Sequence, residues 1–434
     1  MAASRFHPRI AIAGGGPSGL ALGLLLHRRG IRATIYELRD KPTPAELAKP
    51  SGMLDLHQES GLKVIRSCGL WDSFLAAAGD CSEAMRVFSP DGTLLHSDDG
   101  GIEPRPEIPR NAIADMLIQN IPPDTIKWNH KITSATRAEN TTTGAFETTL
   151  DFGPHGTATF DFVVGADGAW SRIRPLVTDV KPLYSGANNL TATIRNASTD
   201  YPHLVELNGS GTVMALGGGK GIMTHRGPQD SICVYAAIST PHENWVEASR
   251  LQAQTAAELK TTLLEDEKLF RNWAPKLKEL LATACDEDTK DRPGREADVK
   301  PIFMLPVGHR WEHRAGVTLV GDAAHLMTPW AGEGVNLALW DSLELADALA
   351  DVPEAADAAA WQAAVDPRLR KFEDVMLKRA AEKAKETDRN RAILLSKYGG
   401  HLLAYMFKAV YGFHSLRSSL STLFKRGRSE PEGK

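Results

Sequence analysis

Residues 10–37 read IAIAGGGPSGLALGLLLHRRGIRATIYE, and the pattern changes three times along them. Residues 9–13 (RIAIA) are a short apolar run of strand type. Small residues then break the run: Gly14, Gly16 and Gly19 satisfy G-x-G-x-x-G. Pro17 to Arg29 carries apolar residues on several sides, which predicts a buried helix opened by Pro17 and stopped by Gly30. Residues 32–36 (RATIY) form a second strand, closed by Glu37, so the stretch is one βαβ unit. Gly14 permits the tight turn, Gly16 removes a Cβ where a pyrophosphate approaches the backbone, and Gly19 lets helix and sheet close up. The helix start, with Ser18 in its first turn, offers free N–H groups and the positive end of the helix dipole to an anion. Glu37 stands 21 residues after Gly16, where a carboxylate accepts hydrogen bonds from ribose hydroxyls. Leu38 and Lys49, beyond it, belong to the same expected surface. The stretch predicts a dinucleotide site without separating NAD from FAD.

The chain has 434 residues, more than a single hydrophobic core supports, so two or three modules are expected. Fifty Lys and Arg against 54 Asp and Glu leave a net charge of −4, so no basic surplus points to nucleic acid. Cys68, Cys81, Cys233 and Cys285 form no CxxC and no His cluster accompanies them, which argues against disulfides and a metal site. Met1 to Pro8 does not read as an export signal, and apolar runs such as Leu20–Leu26 are too short to span a bilayer. A cytoplasmic location is expected.

Further along, residues 41–51 read as a loop and 62–70 and 72–78 as helices, with a hairpin in 84–96 around Pro90-Asp91-Gly92. Arg110–Asn120 reads as a helix and 126–164 as strand-rich. Residues 181–240 alternate like an antiparallel sheet, with Asn208-Gly209 and Gly217–Gly221 as turns. Residues 242–285 read as largely helical, 317–320 as a strand, Gly334–Leu349 as a helix, and the chain from about Pro367 onward as mostly helix. GGGK at 217–220 lacks the strand-to-helix context of a phosphate loop and reads as a hairpin turn.

Two more strand ends carry glycine and aspartate. Residues 163–174 read VVGADGAWSRIR, placing Asp167 and Gly168 at a turn before a helix. Residues 318–327 read TLVGDAAHLM, and Pro329–Asn336 (PWAGEGVN) follows as a loop of small residues. Three such motifs in this order resemble the flavin-dependent aromatic hydroxylases of the para-hydroxybenzoate hydroxylase fold, over roughly residues 8 to 385. Within them the chain is most similar to the tetracycline-inactivating monooxygenases. Residues 52–57 (GMLDLH) resemble their GGTLDLH, 106–111 (PEIPRN) their PEINRN, 321–327 match GDAAHLM, and PWAGEGVN is close to PFAGQGVN.

The resemblance implies an α/β fold: a Rossmann-like FAD-binding domain (1–180 and 301–365), an inserted antiparallel β-sheet substrate domain (181–300) and a C-terminal helical bridge (366–434). It implies FAD as cofactor, NADPH or NADH as transient reductant and O2 as co-substrate. The implied reaction is hydroxylation of an aromatic or polyketide-like small molecule, tetracycline-like ones included, through a flavin C4a-hydroperoxide, with antibiotic resistance as the associated role. On this resemblance Arg110 lies beside the FAD pyrophosphate, Asp167 and Asp322 contact the cofactor, and Gly332, Gly334, Val335 and Asn336 cradle the flavin ring. Pro329 and the backbone of Gly332 and Gly334 shape the oxygen site, with few protein acid–base groups near the ring. The sequence departs from the tetracycline-binding pattern at Thr191, at Ser210-Gly211-Thr212 and at Cys233, where that family places a Gln, an Arg and a His.

Thr191, Met214, Met223, His225, Tyr235 and Trp330 are candidates for the substrate pocket by location, Trp330 foremost because it precedes the flavin loop. His325 reads as structural or capping; Arg172 and Arg174 as phosphate ligands or as caps. A flavin dehydrogenase or reductase and a non-catalytic FAD-binding protein are the alternatives, and the WxWxIP signature of flavin halogenases is missing. Pro367–Ser396 reads as an amphipathic brace. Residues 402–424, rich in apolar and aromatic side chains, are expected to pack over the pocket or against a partner rather than on a membrane. A monomer or weak dimer is expected.

Overall fold

The computed structural model describes residues 6–49, 51–78, 82–100, 106–248 and 251–409. Cys81 and the C-terminal run from Val410 lie outside them. A parallel sheet of five strands forms the first layer, in the order Val317–Leu319, Phe162–Gly165, Ile10–Ala13, Thr34–Tyr36 and Ile126–Lys127. Both faces are covered, so its strands read as continuous apolar runs. The helix Pro17–Arg28 lies on it with nine buried residues. At Gly23 a Cβ would come 2.5 Å from the Ile35 side chain, which is why a small residue stands mid-helix. Gly30, at φ 73°, ends the helix as expected: its N–H and that of Ile31 return to the carbonyls of His27 and Leu26.

The second layer is a seven-stranded sheet in the order Val299–Met304, Leu183–Ile194, Ser231–Ser239, Lys220–Gly227, Thr212–Gly217, Met85–Phe88 and Leu94–Asp98. The hairpin at 85–98 therefore joins this sheet, through a parallel pairing of Met85–Phe88 with Thr212–Gly217, although the FAD-binding segment was expected to hold it. One face buries Ile222, Ile232, Val234 and Ala236 against the helices Ala256–Glu265 and Pro275–Asp291. A two-stranded ribbon, Met53–Asp55 with Glu107–Pro109, connects the two layers.

Several local expectations change. Residues 41–51 contain the short helix Pro44–Leu47, opened by a reciprocal Thr43–Glu46 capping box. The segment after Asp167 holds a 3-10 turn, Arg174–Leu176, rather than a helix. Asn208-Gly209 ends the helix Pro202–Asn208 instead of making a hairpin. The long helix starts at Ala358, capped by Asp357, and runs 37 residues to Leu394 with Pro367 inside it. Proline costs an interior helix about 3 kcal/mol. Burial of Trp361, Val365, Leu369 and Phe372 on both sides of it carries the helix through. At 1.5 Å per residue the rod is about 55 Å long.

Candidate active site

The three glycine-bearing strand ends lie side by side because Ile10–Ala13, Phe162–Gly165 and Val317–Leu319 are adjacent in the sheet. Gly14 has φ 104°, and a Cβ there would sit 2.4 Å from the Ala166 carbonyl oxygen. A Cβ on Gly19 would sit 2.0 Å from the Gly14 oxygen. At Gly16, which caps the helix ahead of Pro17, a Cβ would meet nothing within 4 Å, so the backbone borders open space there. Glu37 is buried, its Oε2 accepting the Gly15 N–H (2.7 Å) and its Oε1 the Arg39 N–H (3.0 Å). Leu38 is exposed next to it. Lys49 and the start of the helix Arg110–Asn120 are joined by Asn111, whose Nδ2 donates to the Lys49 carbonyl.

Asp167 Oδ2 accepts the Arg172 N–H at 2.6 Å, while its buried Oδ1 has no partner. Burial pushes this carboxyl above the ordinary range. The Arg174 guanidinium donates to the carbonyls of Ala169, Asp322 and Ala323 and so ties two strand-end turns together. Water reaches Asp322, yet the protein around it is dense enough to push its carboxyl up, opposed by His325 and by Arg110. Arg110, the first residue of the helix Arg110–Asn120, is thus close enough for its charge to act on Asp322. Open backbone at Gly16, an unpaired Asp167 oxygen, Asp322 and Arg110 fit a ligand with both hydroxyl and phosphate groups, as FAD has.

His325 is buried and paired with a carboxylate. Its Nε2 bonds Asp341 Oδ2 at 2.5 Å, and Asp341 also receives the Gly321 N–H and Arg379. Asp341 holds the imidazole above its usual value, and the imidazole holds Asp341 below its own, each against the penalty of burial.

The loop after Thr328 turns at Gly332, φ 66°, whose N–H returns to the Pro329 carbonyl. Gly334 and Val335 open the helix Gly334–Ala350. Asn336, fully buried, points back rather than outward. Its Nδ2 donates to the carbonyls of Asp55 (2.9 Å) and Gly332 (3.0 Å), and its Oδ1 accepts the His57 N–H (2.9 Å). Asn336 thus pins the Gly332 turn to residues 55–57. A Cβ on Gly332 would lie 2.6 Å from both Asp55 carboxylate oxygens.

Of the six candidate pocket residues, the strand register puts five on one sheet face. Thr191 lies opposite Tyr235, Tyr235 opposite Met223, and Met223 opposite Met214; His225 is two residues from Met223 on the same strand. Trp330 meets this face from the loop, in a small apolar cluster with Met223, Ile302 and Leu395, and its buried indole N–H has no partner. Cys233 shares the face, but burial pushes its thiol up to about 11 and it donates to the Ser51 carbonyl.

One expectation fails here. The ribbon register sets Asp55 opposite Glu107, so two carboxylates share an edge of the pocket. His225 Nδ1 lies 3.4 Å from Glu107 Oε1 and 3.0 Å from Thr212 Oγ1. Burial alone would lower this imidazole; Glu107, with Asp55 behind it, holds it above the ordinary value. On the far side His57 sits 3.3 Å from Asp55 and 3.6 Å from Glu333, which is paired with Lys383. The loop is therefore flanked by acid–base groups, and Asp55, His57, Glu107 and Glu333 were missed. The signal for the first three was the two short stretches at 52–57 and 106–111, which meet only through the ribbon; Glu333 lies in the 329–336 loop itself.

Comparison with known proteins agrees with this geometry. The family model described as FAD binding domain matches residues 8–378. The chain is 33% identical over 432 residues to monooxygenase penA of Penicillium thymicola, covering 92% of this chain and 98% of that one. It is 35% identical over 376 residues to monooxygenase asqM of Emericella nidulans, covering 79% and 83%. Among solved structures, Klebsiella pneumoniae HpxO complexed with FAD and uric acid superposes with a TM-score of 0.68 at 19% identity (92% of each chain). Tetracycline destructase Tet(51) does so at 0.63 and 18%, over 93% and 97%. These two structures share the para-hydroxybenzoate hydroxylase-type fold with it. The chain belongs to the family of proteins with this FAD-binding domain, and it is an FAD-dependent monooxygenase of the aromatic-hydroxylase type.

Proposed function

We propose that this monooxygenase uses NADPH or NADH to insert one oxygen atom of O2 into an electron-rich aromatic or polyketide-like small molecule bearing an acidic O–H or N–H. The observation that carries the reading is the His225–Glu107 pair on the sheet face that Trp330 closes. FAD, once reduced, supplies the activation of oxygen. The residues of the chain supply the rest. Met214, Met223, Tyr235 and Trp330 give an apolar slot that excludes water, which a reactive oxygen species requires. With Nδ1 turned to Glu107 and Thr212, Nε2 of His225 is the nitrogen free to take a proton from the substrate, and Glu107 stabilises the imidazolium that results. Asn336 holds the Gly332 turn at its distance from the ribbon. Gly14, Gly16, Pro17, Ser18, Gly19, Glu37, Arg110, Asp167 and Asp322 would hold the cofactor.

Thr191, Ser210 to Thr212 and Cys233 stand where tetracycline-binding relatives carry larger polar groups, so we favour a smaller planar substrate. HpxO, whose structure contains uric acid, offers a precedent for an acidic N-heteroaromatic ring. The test is substrate-stimulated NAD(P)H oxidation across phenols, N-heteroaromatics and tetracyclines, with product mass measured. A gain of about 16 mass units, one oxygen, is expected for an acidic aromatic. Stimulation without oxygen incorporation by any member would overturn the reading in favour of a reductase.

A further inference from the structure

Four ionisable side chains stand in a row from the protein surface to the Gly332 turn, and the His225–Glu107 pair uses none of them. Lys383, half-buried on the long helix, pairs with Oε1 of Glu333 and lies 3.3 Å from Glu386. Glu333 is buried, and its Oε2 stands 3.6 Å from Nδ1 of His57. His57 is buried as well, with Nε2 3.3 Å from Oδ2 of Asp55. The exposed Glu59, 4.0 Å from Nδ1, is the other carboxylate facing the ring among the described residues. Asp55 is half-buried beside the Gly332 turn, where a Cβ would come 2.6 Å from its carboxylate, and it is close enough to His225 for its charge to act there.

The fold does not need this imidazole. The His57 backbone already fixes the turn: its N–H is held by Asn336, and its carbonyl accepts the N–H groups of Ser60 and Leu62. A ring with one carboxylate at each nitrogen is instead the arrangement that takes a proton on one side and gives one on the other. Oxygen chemistry on reduced flavin consumes such a proton. Without substrate, FADH⁻, O2 and one proton yield FAD and H2O2; in the coupled reaction the same proton ends in water. The apolar slot that protects the site from water also cuts it off from protons in bulk solvent. We propose that His57 carries protons from the surface pair Lys383–Glu333 to Asp55 beside the Gly332 turn. The proposal rests on the reading of that slot as the dry oxygen site. In each passage Glu333 gives a proton to Nδ1, Nε2 gives its own to Asp55, and Glu333 is recharged from solvent past Lys383, so no net charge accumulates. Separations of 3.3 and 3.6 Å close to transfer distance through a small approach or a bridging water. The row thus makes His57 a positioned proton carrier, acting through Asp55.

The test takes the full-length, FAD-loaded protein, reduces it and mixes it with O2 in the absence of substrate. In His57→Ala the return of oxidised-flavin absorbance should slow at least about tenfold at unchanged flavin content. Imidazole in the buffer should restore the rate, while pyrazole, of the same shape but a far weaker base, should not; a void that only needs filling would be served by both. Glu333→Gln, which keeps the size of the side chain, should slow the same step. A second readout needs no turnover: 15N-histidine spectra of the resting protein, with the His57 signals identified by their loss in His57→Ala. The ring-nitrogen shifts should change in Glu333→Gln, where Nδ1 faces an amide. Wild-type reoxidation rates in both variants overturn the proposal. So does equal rescue by imidazole and pyrazole, or a His57 ring indifferent to Glu333→Gln. Failure of the proposed substrate class alone would look different: reoxidation would keep its dependence on His57, and no acidic aromatic would gain oxygen.

Discussion

Replacing Asn336 by alanine tests whether this residue positions the oxygen-site loop rather than contacting the cofactor. Its amide spans three backbone groups of two segments that are 277 positions apart at Asp55 and Gly332. Removal leaves the buried His57 N–H unpaired, at about 1–3 kcal/mol, and deletes two bonds to partly buried carbonyls, at about 0.5–1.5 kcal/mol each. The loss is about 2–6 kcal/mol, a large share of the 5–15 kcal/mol typical of a folded protein. Urea unfolding of the FAD-loaded protein should show it as a lower midpoint with an unchanged slope. Asn336→Asp keeps the acceptor for His57 but loses both donations, so it should destabilise too. The functional signature is uncoupling: with the Gly332 turn unpinned, more NAD(P)H is consumed per molecule of product. A variant within about 1 kcal/mol of wild type with unchanged coupling would refute the reasoning.

Three further outcomes are expected. Glu107 holds His225 above its usual value, so the neutral, proton-accepting form appears only as pH rises through that raised value; Glu107→Gln should move the rising limb of the kcat/KM profile to lower pH. The same pairing stabilises the fold fully below the ordinary histidine value and is lost as pH rises past the raised one, so the variant should flatten that part of the stability curve. His325→Ala leaves buried Asp341 short of a partner and should cost about 3–5 kcal/mol by denaturation. The pair's contribution is full between the ordinary aspartate and histidine values; it is lost on the alkaline side past the raised His325 value and on the acid side below the lowered Asp341 value. Gly14→Ala puts a Cβ 2.4 Å from the Ala166 oxygen in a left-handed backbone, costing at least about 1–2 kcal/mol, and should yield protein without flavin absorbance.

The parallel sheet was legible because its signals are local. Gly14 to Gly19, Asp167-Gly168 and Gly321-Asp322 each announce a strand end within a few residues. Pocket candidates were legible in part, since alternation along a strand predicts faces, and register then brought Thr191, Tyr235, Met223 and Met214 into one row. What escaped was non-local. The pairing of Met85 with Thr212 spans 127 positions, and nothing in either segment specifies it. Asp55 and Glu107 become a carboxylate pair only across the ribbon. Pro367 misled for the opposite reason: a local rule was outweighed by tertiary burial around it.

The order of strands in the parallel sheet has a consequence for synthesis. Its members come from residues 10–13, 34–36, 126–127, 162–165 and 317–319, and the long helix that braces them ends at Leu394. A ribosome adding about 5–20 residues per second exposes the glycine turn some 15–60 s before the strand that completes the cleft. The first βαβ unit alone lacks Asp322 and the Gly332 turn, so a nascent chain offers FAD only half of its binding surface. The FAD-binding surface is therefore complete only after residues 317–336 have been made, late in the synthesis of the chain.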